Sequence, residues 1–113
     1  MDPAGAPSLG LSELRAALAS SDPRARARAI LRVRPEPGVQ EALVEALRDA
    51  SSDVRLAAVR ALGRMHGPRA TGALIRVSTD DLVAAVRAEA VAALGRIVEA
   101  RVTPPDEEDP RTR

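Results

Sequence analysis

The sequence predicts an all-α chain, an α-solenoid of three helical hairpins with about six helices. Three observations predict it. A block of residues recurs every 31 to 32 positions, apolar residues within each block follow a helical period, and caps and breakers stand between the blocks.

The recurrence is clearest in the second half of the chain. Asp53-Val54-Arg55-Leu56-Ala57-Ala58-Val59-Arg60-Ala61-Leu62-Gly63-Arg64 shares Val, Arg, Ala, Val, Ala, Leu, Gly and Arg with residues 86 to 96, in register 32 positions later. A weaker copy precedes it. Asp22-Pro23-Arg24, Ala27 and Leu31 match Asp53-Val54-Arg55, Ala58 and Leu62 at an offset of 31. Shorter apolar segments lie upstream, where Pro37 with Ala42, Leu43 and Val44 matches Pro68 with Ala73, Leu74 and Ile75, again at 31.

The first hairpin is placed at 9–19 and 23–33, with Asp22 as N-cap and Pro23 at the first helical position. The break at Pro35-Glu36-Pro37-Gly38 separates it from the second, at 38–49 and 53–66, where Asp53 is read as the matching cap. Val54, Ala58, Ala61, Leu62 and Met65 fall on one face of that second helix. His66-Gly67-Pro68 then leads to the third hairpin, at 69–78 and 82–102, with Asp81 as the expected cap. Val86, Ala90, Ala93, Leu94 and Ile97 repeat the apolar face. Ala, Arg, Leu and Glu, all good helix formers, dominate these segments, and no strand is expected. The expected organisation is a flexible tail at 1–8, a repeat domain at 9–103 (repeats 9–36, 37–67 and 68–103) and a disordered acidic tail at 104–113.

Composition narrows the function. The chain has 113 residues, all 17 of its cations are Arg against 16 carboxylates, and it lacks Cys, Asn, Trp, Tyr and Phe. Lys, Asn, Phe and Tyr, all absent, have AT-rich codons and the favoured Ala, Arg, Gly and Pro GC-rich ones, so nucleotide composition shares in the bias. Without rings there are no stacking platforms for bases, no aromatic cages and no aromatic membrane girdle. The net charge of +1 gives no polyanion-binding field. No apolar window approaches the roughly 20 residues of a membrane span, and no signal-peptide pattern opens the chain. A cytoplasmic location without membrane contact is expected.

These residues carry a family resemblance. Asp-Val-Arg, then Ala, then Ala-Leu-Gly, after a helix carrying Ala-Leu-Val or Ala-Leu-Ile, resembles a HEAT repeat, closest to the short bacterial HEAT-like type first noted in phycobilisome lyases. The resemblance covers about residues 11 to 102. It is weaker in the first unit, where Pro23 replaces the valine and Arg32 stands in the place of Gly63 and Gly95. It implies a short right-handed stack of hairpins that works by binding proteins. Bilin-lyase activity does not transfer with it, because three repeats offer no recognisable ligand pocket. Gly63 and Gly95 recur inside helical patterns, where glycine costs ~1 kcal/mol relative to alanine, so a close approach of the next helix is expected at both.

Arg24, Arg55 and Arg87 share one slot of the repeat, with Asp49 and Asp80 as natural acceptors 31 residues apart. They are read as a structural ladder in preference to a row of anion-binding forks. Arg60, Arg64 and Arg96 are the candidates for partner contact on the surface lined by the second helices. The last helix carries a second apolar stripe, Ala84, Val91, Gly95, Val98 and Val102, and Val91 and Val98 are candidates for contact with a protein partner or a second copy of the chain.

Chemistry has little to stand on. His66 is the single histidine, its place near a helix C-terminus is explained by the helix dipole, and a metal site would lack further His or Cys ligands. There is no Gly-x-Ser-x-Gly, no phosphate loop, and no His-Glu pair of the kind that binds iron in HEAT-like hydroxylases. The sequence therefore reads as a non-catalytic protein–protein interaction scaffold or adaptor, with no catalytic residue, no metal and no cofactor. Two alternatives stand beside it. One is nucleic-acid binding through the Arg24–Arg34 cluster, disfavoured because base stacking is impossible; the other is a non-catalytic subunit of a lyase-type enzyme.

Overall fold

The computed structural model describes residues 8–101, in which six helices follow one another: α1 (Leu11–Leu18), α2 (Pro23–Ile30), α3 (Val39–Ala46), α4 (Ser52–Gly63), α5 (Pro68–Asp80) and α6 (Ala84–Arg101). They form an all-α solenoid of paired helices. Among the described residues no strand forms, and one isolated parallel bridge joins Leu9 to Val33. The expected tails at 1–8 and 104–113 lie outside the described residues, Ser8 excepted, as does Val102.

Local chemistry explains where the helices start. Asp22 accepts a hydrogen bond from the Arg24 N–H at 3.0 Å, with Pro23 in the first turn, as expected. The cap of α4 is Ser51, not Asp53: its hydroxyl accepts from the Asp53 N–H at 3.2 Å, and Asp53 lies inside the first turn. Glu36 reaches across to the start of α1, where its carboxylate accepts from the Leu11 N–H at 2.8 Å. The second helix ends at Ile30, short of the expected 33, because the backbone beyond it is bound to an extended Leu9. The Leu9 N–H donates to Arg32 O, and the Arg34 N–H donates to Leu9 O, both at 2.7 Å. Leu9, expected to be helical, is thereby held outside α1.

Packing centres on α4, which touches α2, α3, α5 and α6. Its buried residues, Val54, Ala57, Ala58, Val59, Ala61, Leu62 and Gly63, lie on more than one side of the helix, and a strip with Asp53 and Arg60 stays exposed. By contrast α6 buries one side, through Val86, Ala90, Ala93 and Ile97. Leu14, Ile30, Leu43, Leu62, Leu74 and Ile97 are the largest fully buried side chains, and each such burial stabilises by about 1.5–3 kcal/mol. Small side chains set the helix spacing. A Cβ on Gly63 would stand 2.9 Å from the Ala93 Cβ, so glycine there admits α6 against α4. Beside Gly95, in contrast, a Cβ would meet nothing within 4 Å. The close approach expected at both glycines occurs at Gly63. At Gly38 the reason is the backbone: φ is +89° at the start of α3, and a side chain would also strike Leu11.

The arginine–aspartate ladder and the candidate interaction surface

Each hairpin turn repeats one construction. An oxygen of Ser20, Asp49 or Asp81 accepts from the backbone N–H two residues on, at 3.1, 2.9 and 2.9 Å. Six residues on, an arginine folds back. Arg26 Nη1 donates to Ser20 O at 2.8 Å, Arg55 Nη1 to Asp49 O at 2.8 Å, and Arg87 Nη1 to Asp81 O at 2.5 Å. For Arg26 and Arg55 this leaves one edge of the guanidinium pointing towards the next hairpin. Arg26 grips Asp49 through Nε–Oδ2 and Nη2–Oδ1, both 2.9 Å. Arg55 grips Asp81 in the same way, at 2.8 and 3.2 Å. Such two-point pairs fix both distance and orientation between neighbouring hairpins.

The environment of the carboxylates follows from this geometry. The bond from Arg26 holds Asp49 below the usual carboxylate range, helped by the Ser51 N–H and by the charges of Arg26 and Arg55, against the effect of burial. Burial pushes Asp81 upward. The bond from Arg55, the Val83 N–H and the charges of Arg55 and Arg87 outweigh it, and Asp81 too lies below the usual range. The Asp49 bond in turn raises Arg26.

Two ladder positions read from the sequence are corrected. Arg24 is exposed on α2, and Arg26 takes its slot. Asp80 is exposed and accepts from the Thr79 hydroxyl at 3.0 Å, while Asp81 receives Arg55. The cause is register. The caps Asp22 and Ser51 align the first two long helices at an offset of 29, and the offset of 31 rested on Asp22-Pro23-Arg24 resembling Asp53-Val54-Arg55. A signal for the true pairing was present as the six-residue interval in Ser20/Arg26, Asp49/Arg55 and Asp81/Arg87.

The arginines expected on the surface divide. Arg60 and Arg96 flank the half-buried Glu89, at 3.7 and 3.4 Å, so the three side chains tie α4 to α6 along an exposed edge. Glu89 was not anticipated, because the equivalent residue one repeat earlier is the buried Ala57. Arg64 is exposed and lines a shallow depression with Pro35, Glu36, Pro37, Gln40 and His66. Val91 and Val98 lie on the outer side of α6, 59% and 57% exposed, whereas Val59, one repeat before Val91, is fully buried.

A groove of about 330 Å³ runs beside the ladder between the second and third hairpins, with Arg48, Arg76 and Leu82 among its lining residues. Asp49 and Asp81 within it are bound to Arg26 and Arg55, and among the described residues no buried side-chain polar atom lacks a partner. No cluster of acidic or histidine side chains there could hold a metal ion. In the basic first hairpin, Arg24 and Arg28 are exposed, but Arg26 is drawn away to Asp49.

A family model describing HEAT repeats matches residues 11–95. The chain belongs to the HEAT-repeat family. That span runs from the first residue of α1 into α6 and takes in both rungs of the ladder. No curated protein matches the chain. HEAT repeats generally mediate protein–protein interaction and are typically non-catalytic. No helix among the described residues is long and apolar enough to cross a membrane.

Proposed function

We propose that this HEAT-repeat chain is a non-catalytic scaffold that binds a protein partner through the outer side of α6. The observation that carries the reading is the pair Val91 and Val98, each more than half exposed on a helix whose opposite side is fully packed. Isolated exposed valines are ordinary, but these two share a face with Gly95, on which no helix lies among the described residues. Along one edge Arg60, Glu89 and Arg96 add charge that can orient a partner, and Arg64 lies just past the end of α4. The ladder holds the hairpins rigid, so the surface is formed before binding and little ordering entropy is lost.

The test compares immobilised wild-type chain with the double variant Val91→Glu/Val98→Glu. Proteins retained by the first and lost by the second, with helicity unchanged by circular dichroism, support the reading. Equal retention by both chains, or none by either, overturns it.

A further inference from the structure

We infer that the outer side of α6 docks a helical hairpin of another polypeptide, one with a carboxylate at its turn and a small residue on its second helix, so that the partner continues the stack. The inference rests on the scaffold reading and names the partner of that same side.

Three positions on α4 are covered, Arg55 and Gly63 by the third hairpin and Val59 as a fully buried side chain between them, and each has its equivalent on α6. Arg55 holds Asp81 with its forward edge; Arg87 folds back onto Asp81 O in the same manner, and no carboxylate stands before its forward edge among the described residues. Gly63 receives Ala93; Gly95 faces open space. Val59 is 0% exposed and Val91 59%. A charge contact, a steric notch and an apolar contact are thus each met at one repeat and open at the next. All three call for an object built like the chain's own third hairpin.

A second copy of the chain does not meet these requirements. Its first turn carries Ser20 in place of the aspartate, and the position equivalent to Ala93 is Arg32, beyond the end of α2 at Ile30. Stacking head to tail would set a neutral hydroxyl against Arg87 and a second guanidinium beside Gly95. The occupant is therefore a different polypeptide.

The test titrates the full chain with a synthetic peptide of residues 64–101, followed by NMR of the valine methyls and arginine Nε–H groups. Val91, Val98 and Arg87 signals should move together and saturate. Arg87→Gln in the chain, or Asp81→Asn in the peptide, should weaken binding by about tenfold or more, since either leaves a charged group without its partner. Gly95→Leu should abolish binding by filling the notch. No shift up to millimolar peptide, or full affinity in Arg87→Gln, overturns the inference. Shifts centred on Arg55 and Val59 overturn it too, because they report exchange with the chain's own third hairpin. So does movement of the Arg87 and Val91 signals when residues 102–113 are deleted, which would make that segment the occupant. If the Val91→Glu/Val98→Glu variant still loses retained proteins while the peptide fails, the scaffold reading stands and the partner's stated chemistry falls.

Discussion

Arg55 and Asp81 lie 26 residues apart in the chain, and the guanidinium Nε sits 2.8 Å from a carboxylate oxygen. The pair joins the second hairpin to the third. Because Arg55 Nη1 is also fixed to Asp49 O, the cation cannot follow its partner without breaking a second contact. Rigidity between hairpins thus comes from a side chain anchored at both ends.

Asp81→Ala removes the acceptor for Arg55 and for the Val83 N–H at a side chain only 5% exposed. Leaving those donors unpaired should cost about 1–3 kcal/mol. Urea unfolding would register this as a lower midpoint at unchanged slope, and an unaltered midpoint would show that the pair does not stabilise the stack.

The two ladder carboxylates set an acid limit. Both Asp49 and Asp81 titrate below their unfolded value of about 3.9. Between that value and the lower folded ones the unfolded chain binds more protons, so stability rises with pH across this window. It is fully present above about pH 4 and is lost as pH falls through the folded values. Asp49→Asn/Asp81→Asn should be less stable at neutral pH and show a flatter slope below about pH 4 in thermal melts.

Gly63 and Gly95 should respond in opposite ways to the same substitution. Gly63→Ala drives a Cβ to 2.9 Å from Ala93 and should destabilise by about 1–3 kcal/mol. Gly95→Ala meets open space and should stabilise by up to about 1 kcal/mol, through helix propensity. Differential scanning calorimetry of the two variants provides the comparison; a loss of stability at both would mean that Gly95 is covered in solution.

Val59 and Val91 form a second such pair. Val59→Ala opens a void in a fully buried site and should cost about 1–3 kcal/mol, whereas Val91→Ala should stay within about 0.5 kcal/mol. Equal effects in chemical denaturation would show that α6 has no open side.

Much of the fold was legible because its signals are local. A helix shows its period within a dozen residues, and Asp22-Pro23 or Gly67-Pro68 marks a start within two. Ser51 was missed as a cap because Asp53 is equally suited by residue type, and the backbone decided between them. Glu89 was missed because its role depends on Arg60 of another helix. The outer stripe of α6 was visible as spacing, but spacing does not show which side of a helix its neighbours cover.

By itself, the sequence determined that this chain forms paired helices, where most of them begin, and that its core is built of Ala, Leu, Val and Ile. These follow from propensity, capping and periodicity, which act over a few residues. Tertiary structure decided that Arg26 and not Arg24 is a rung, that Asp81 and not Asp80 receives Arg55, and that Gly63 is filled while Gly95 is open. One-residue and two-residue shifts of this kind leave residue type and local composition almost unchanged. They rotate a side chain by 100° or more about the helix axis, at 3.6 residues per turn, and the direction in which a guanidinium points is set by the hairpin packed beside it.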